Sequence, residues 1–190
     1  LQRHPGATMR LFLILPFAAL AAGPSSSPAP TETSAEATAI ARAEAAAVRL
    51  GSTLKARVVE EMGKGGPVAA VSVCNVEAPA LAATIQSETG VTLGRSSLRL
   101  RNPANAPPAW VQDWLLAQGE RLAAGTTPVA TVVDGKARVI KPITVEAPCL
   151  ACHGAPVAIA PAVKAEIARH YPMDAATGYA VGDLRGALWA

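Results

Sequence analysis

Apolar side chains recur at Ile40, Ala43, Ala47, Leu50, Leu54 and Val58, three, four or seven positions apart, the spacing that gathers them on one side of an α-helix. Thr33 and Glu36 carry the offset of a capping box, so a long amphipathic helix is predicted from Thr33 to Met62. Gly63-Lys64-Gly65-Gly66-Pro67 interrupts it, glycine closing one helix and proline opening another. Val68 to Glu77 is apolar throughout and suits either a helix or a buried strand; its alanines and the leading Pro67 favour helix. A further helix is expected from Pro79 through Ile85 to Glu88, ended by Gly90. Glu60 and Glu61 read as a solvated face of the first helix rather than as acid–base groups.

Beyond Gly90 the period shortens. Val91 to Arg101 alternates, with Leu98 and Leu100 on one face and Arg95, Arg99 and Arg101 on the other, which predicts a strand. Asn102 to Pro108 holds three prolines and is expected to be loop. A helix follows from about Ala109 to Leu122 with Trp110, Trp114, Ala117 and Leu122 near one face; core packing is the first expectation for the tryptophans and a pocket lining the second. Pro128 to Val133 and Lys136 to Val145 flank Asp134-Gly135, a pair that supplies the positive φ angles of a tight hairpin turn. Pro161 to His170 reads as a short helix with Val163 and Ile167 inward, ended by Tyr171-Pro172, and Asp183 to Ala190 as a last strand closing the sheet. Helices followed by antiparallel strands place the chain in the α+β class.

Composition narrows the function. The 190 residues are 51% hydrophobic, enough for one real core, and the net charge of +3 is too weak an excess to argue for nucleic acid. Met9, Arg10 and the apolar run Leu11 to Leu20, with small residues at Ala19 and Ala21, have the parts of a cleavable export signal, so residues 1–22 are expected to be upstream sequence plus signal and the protein periplasmic. The Pro-, Ser- and Ala-rich stretch 23–33 reads as a flexible linker, leaving 34–190 as the folded domain.

The candidate chemistry lies in Cys149-Leu150-Ala151-Cys152-His153, followed by Gly154. Two cysteines at this spacing can add their thiols to the two vinyl groups of one haem, and the adjoining histidine is placed to ligate the iron. With only 3 cysteines and 3 histidines in the chain, the pentapeptide is improbable by chance. A structural zinc site needs four such ligands, and outside the motif only Cys74, His170 and His4 remain. A thioredoxin-like redox pair would follow a strand of a βαβ unit, whereas this one follows a hairpin. One covalent haem c, held by Cys149 and Cys152 and ligated by His153, is therefore expected. Arg95, Arg99 and Arg101 could hold its two propionates, or simply face water. Cys74 alone reads as a small buried hydrophobe, and Met173 and His170 are minority candidates for the sixth ligand.

Several blocks carry a resemblance: Gly66-Pro67 with Ala70 to Cys74; Ala78-Pro79; Gly94-Arg95-Ser96-Ser97-Leu98-Arg99-Leu100-Arg101-Asn102-Pro103-Ala104-Asn105-Ala106-Pro107; Lys141-Pro142-Ile143; the haem motif; and Tyr171 to Tyr179 with Gly182 to Gly186. Together these resemble the PAS-like single-haem c-type domain family with His/Cys axial ligation, whose members stand alone in the periplasm or lumen or form ectodomains of membrane kinases and chemoreceptors. The resemblance implies a PAS-like antiparallel sheet with flanking helices and a long N-terminal helix. It also implies that Cys74 is the axial ligand opposite His153. The chain is expected to be a stand-alone, non-enzymatic haem protein. Sensing of redox state or a diatomic gas comes first, and low-potential electron transfer to a partner protein is the alternative. A dimer through the exposed face of the first helix is a further expectation.

Overall fold

The computed structural model describes residues 1–2, 32–120 and 127–190. The expected export signal, linker positions 23–31, His4 and Leu122 lie outside the described residues. Helix α1 runs Glu32–Ser72, a π-helical stretch follows at Val73–Glu77, and α2 spans Ala78–Thr89. Since α1 already includes Glu32, Thr33 lies within its first turn and does not cap it. The expected break is a kink inside α1 at Gly66, whose φ of 69° only glycine adopts freely, with Pro67 opening the next turn. Val68 to Glu77 is helical, as its proline and alanines suggest.

Four strands, β1 (Gly94–Ser96), β2 (Val129–Val133), β3 (Lys136–Thr144) and β4 (Leu184–Trp189), form one antiparallel sheet in the order β1-β4-β3-β2. The β2–β3 hairpin turns at Asp134 and Gly135, with φ of 51° and 69°, as the Asp-Gly pair requires. Pro142 is tolerated because β2 has already ended at the Val129–Ile140 pair, leaving that side of β3 without a ladder to donate to.

Alternation along the strands sorts the core into two layers. Val139 and Ala190 pack under α1 and α2 with Ala43, Ala47, Leu50, Leu54 and Ile85. Neighbouring Ile140 and Ala187 point the other way, onto Val111 and Leu115 of helix α3 (Ala109–Gln118). The α1 stripe is thus the stripe its periodicity predicted. At Gly51 α1 lies against the sheet: an added Cβ would stand 2.5 Å from Leu188 Cδ1. Trp110 and Trp114 join the α3 layer, Trp110 meeting Trp189 edge-on at 6.2 Å, so their role is core packing. This is the α+β, PAS-like architecture expected, with one correction. The predicted strand from Val91 to Arg101 is a strand only at Gly94–Ser96, and Arg101 turns inward while Leu98 faces solvent. The reason is long-range: Arg101 finds a carboxylate in Asp174, and the Leu100 carbonyl accepts from the Ala175 N–H at 2.8 Å, which peels the chain off the sheet.

Glu60 and Glu61 pair with Arg57 and Lys64 on the surface of α1, the solvated face expected of them.

Candidate functional site

A 3-10 turn at Ala147–Cys149 leads into α4 (Leu150–His153), and α5 spans Pro161–His170. Cys149 closes a capping arrangement, its Sγ accepting from the Glu146 N–H at 3.4 Å. Cys152 packs with Val71, Ile159, Val163, Ile167 and Tyr171, whereas Cys149 and Leu150 pack with Val145, Ala176 and Tyr179. The single turn of α4 is therefore wedged between two small apolar clusters, each holding one thiol. Gly154 follows because a Cβ there would lie 2.6 Å from the Leu150 carbonyl oxygen.

Cys74, Cys149 and Cys152 are all free thiols. Burial pushes the Cys152 thiol upward, against the pull of Arg101. Among the described residues no three His, Cys, Asp or Glu side chains gather as a metal site, so the motif has no zinc-type ligand set around it.

His153 is fixed by its backbone neighbours. Its Nδ1 lies 2.7 Å from the Ala176 carbonyl oxygen, which can only accept, so Nδ1 carries the proton and Nε2 keeps its lone pair for a metal. Burial, with Arg185, Arg101 and Arg95 nearby, pushes the ring's pKa down to about 3; the Ala176 hydrogen bond opposes the shift. The imidazole is thus neutral, the state ligation needs. The Tyr179 N–H donates to the His153 carbonyl at 2.9 Å and the Gly178 N–H to that of Gly154 at 2.8 Å, strapping the 176–179 segment along the end of α4.

Arg101 holds that strap in place. Its Nε and Nη2 each lie 3.1 Å from the two oxygens of Asp174, and Nη2 also donates to the Cys152 carbonyl at 2.6 Å. Asp174 Oδ1 in turn accepts from the Ala176 N–H at 2.9 Å. One buried ion pair thereby positions the carbonyl that orients His153.

Cys74 sits on the π-helical stretch, where the Ala78 N–H reaches the Val73 carbonyl five residues back. Arg95 Nη2 donates to the Cys74 carbonyl at 2.9 Å while Nη1 stands 3.9 Å from its Sγ. Arg95 also acts on His153, which brings the stretch carrying Cys74 to the neighbourhood of the motif 75 positions along the chain. Neighbouring residues of the stretch are clamped as well, Asn75 to His170 at 2.8 Å and Glu77 to Arg57 at 2.7 Å.

The fold places the remaining sequence candidates plainly. His170 is engaged at both ring nitrogens, with Asn75 and with Glu166 at 3.0 Å. Met173 is 80% exposed. The three arginines do not share a face: Arg95 serves Cys74, Arg101 serves Asp174, and Arg99 stacks over the Tyr179 ring, its Cζ 3.7 Å from the centroid. Sequence reasoning missed Asp174, Ala176, Tyr179 and Arg185. The only local trace of them was their position in the Tyr171–Tyr179 and Gly182–Gly186 blocks.

The donor set fits a haem attached through Cys149 and Cys152: free thiols one helical turn apart, a neutral histidine with one ring nitrogen bonded and the other available, and a third thiol, Cys74, held by Arg95. Comparison with known proteins agrees in kind. The Tll0287 family model matches residues 29–189. The chain belongs to the Tll0287-like family. It is similar to the crystal structure of the cyanobacterial haem protein Tll0287, at 26% identity and a TM-score of 0.60, over 75% of this chain and 89% of that one. No curated protein sequence matches it.

Proposed function

We propose that this member of the Tll0287-like family is an exported, non-enzymatic haem c protein, with Cys149 and Cys152 forming the thioether links, His153 Nε2 on one side of the iron and Cys74 Sγ on the other. The observation that carries the reading is the His153–Ala176 hydrogen bond of 2.7 Å, which aims a neutral imidazole beside two unpaired thiols. That the similar solved structure is a haem protein supports it. Bound there, the haem supplies an iron that changes oxidation state and accepts an exchangeable ligand, and a thiolate opposite histidine favours the ferric state. The motif's chemistry supports export, because covalent haem c is assembled outside the bacterial cytoplasm.

The preferred role is a sensor of redox state or of a diatomic gas. Cys74 lies on a π turn at the junction of two helices, so a sulfur that changes partner moves α1 against α2. One observation favours the alternative, electron transfer with fixed ligands: the turn is clamped at Cys74, Asn75 and Glu77. Optical spectra of protein matured in a periplasm separate the two. CO binding to the dithionite-reduced form, with loss of the sulfur ligand, supports the sensor; a reduced haem inert to CO supports the carrier. Cys74→Ala should keep covalent haem and lose the thiolate spectrum, and an unchanged spectrum overturns the ligand assignment.

A further inference from the structure

The ladder between β3 and β4 slips at one point. Ile143 pairs with Gly186 and Thr144 with Leu184, so Arg185 is the extra residue of a β-bulge. Bulges re-aim side chains, and this one turns a guanidinium toward the site. The strands lie close beside it: a Cβ on Gly186 would stand 2.2 Å from the Ser96 carbonyl oxygen, so the residue after the bulge has to be glycine. Arg185 Nη1 donates to Ser97 Oγ at 2.7 Å, and its Cζ lies 5.5 Å from the Tyr179 ring centroid. Arg99 stacks on the same ring. Tyr179 also meets His153 edge-on at 6.2 Å.

Arg99 and Arg185 line a cleft of about 220 Å³ with Tyr179, Leu98, Leu115 and Leu184, and Glu120 stands exposed at its rim. Among the described residues neither guanidinium has an ion pair with a carboxylate, unlike Arg101. Burial pulls Arg185 downward, and Arg101 and Arg95 add to the repulsion; Tyr179 opposes it. Two cations against an apolar wall, short of an anion, are what a carboxylate on an apolar body would complete.

We propose that Arg185 and Arg99 form a carboxylate-binding site on the Tyr179 side of His153. Resting on the haem reading, the carboxylate is first a haem propionate, which moves that role from Arg95 and Arg101, already committed to Cys74 and Asp174, to Arg185. The same chemistry would be met by a free organic acid with an apolar tail.

The test uses the full haem-loaded protein and the variants Arg185→Gln, Arg185→Lys and Arg99→Gln, with haem staining on denaturing gels as the check on covalent attachment. Absence of haem in the wild type overturns the haem reading and leaves the second arm standing. In the first arm, the propionate bending band in resonance Raman spectra shifts in Arg185→Gln, and less in Arg185→Lys, while haem load is unchanged. In the second, calorimetric titration with octanoate shows binding to the wild type that weakens about ten-fold or more in Arg185→Gln. If the band does not shift and octanoate does not bind, the site is overturned. Should Arg185→Gln fail to fold, Arg99→Gln at the less crowded wall carries both readouts.

Discussion

The two ends of this molecule are built on different terms. Under α1 and α2 the sheet is covered by alanine, valine, leucine and isoleucine, packed so that a methyl group at Gly51 would displace the tip of Leu188. Around α4 the apolar clusters are small, and order comes from arginines bonded to backbone carbonyls, a buried ion pair and a strap of chain. This second region gathers Arg95, Arg101 and Arg185 around one histidine, and among the described residues Asp174 is the carboxylate that pairs with one of them, Arg101.

The strongest way to test that contrast is to remove the attachment. Cys149→Ser with Cys152→Ser should abolish covalent haem on denaturing gels, while circular dichroism shows the helices and sheet retained. Loss of the whole fold would show that the two regions are not independent. Next comes Arg101→Met, which strands the Asp174 carboxylate in a site where the pair is only 8% and 11% exposed. It should cost about 3–5 kcal/mol in urea unfolding and loosen the Ala176 carbonyl from His153, visible as a changed haem spectrum. Leu50→Ala in the other region should cost about 2–5 kcal/mol yet leave the spectrum of the folded protein unaltered, since its cluster holds neither Cys149, Cys152 and His153 nor the residues bonded to His153.

The most graded effect concerns pH. In haem-free protein the native state holds the His153 pKa at about 3, below the ordinary 6.5, so the unfolded chain takes up the proton first. Stability is therefore full above pH 6.5 and declines as pH falls toward the native value. Wild-type stability should fall relative to that of His153→Gln as pH is lowered from 6.5 to about 5, before carboxylates titrate. A constant difference over that window would mean that His153 is not held neutral.

Much of this was legible along the chain. The α1 stripe, the Gly66-Pro67 break, the Asp-Gly hairpin, α5 and β4 follow from periodicity and turn chemistry, because each is decided within a few residues. The thiol pair and its histidine were equally legible, since their chemistry requires only a fixed spacing, and Cys74 could be linked to them only through the family's pattern. What the sequence by itself determined was thus the α+β class, most elements and the Cys149–His153 motif as the candidate site. Tertiary structure alone decided where the charges go. Alternation aligned Arg95, Arg99 and Arg101 on one strand face, but the strand stops at Ser96 and Arg101 pairs with Asp174, 73 positions away. Arg185 reaches the site through a bulge, and the Ala176 carbonyl reaches His153 through a strap. No window of residues encodes such pairings, because their energies arise only once distant segments have been packed together.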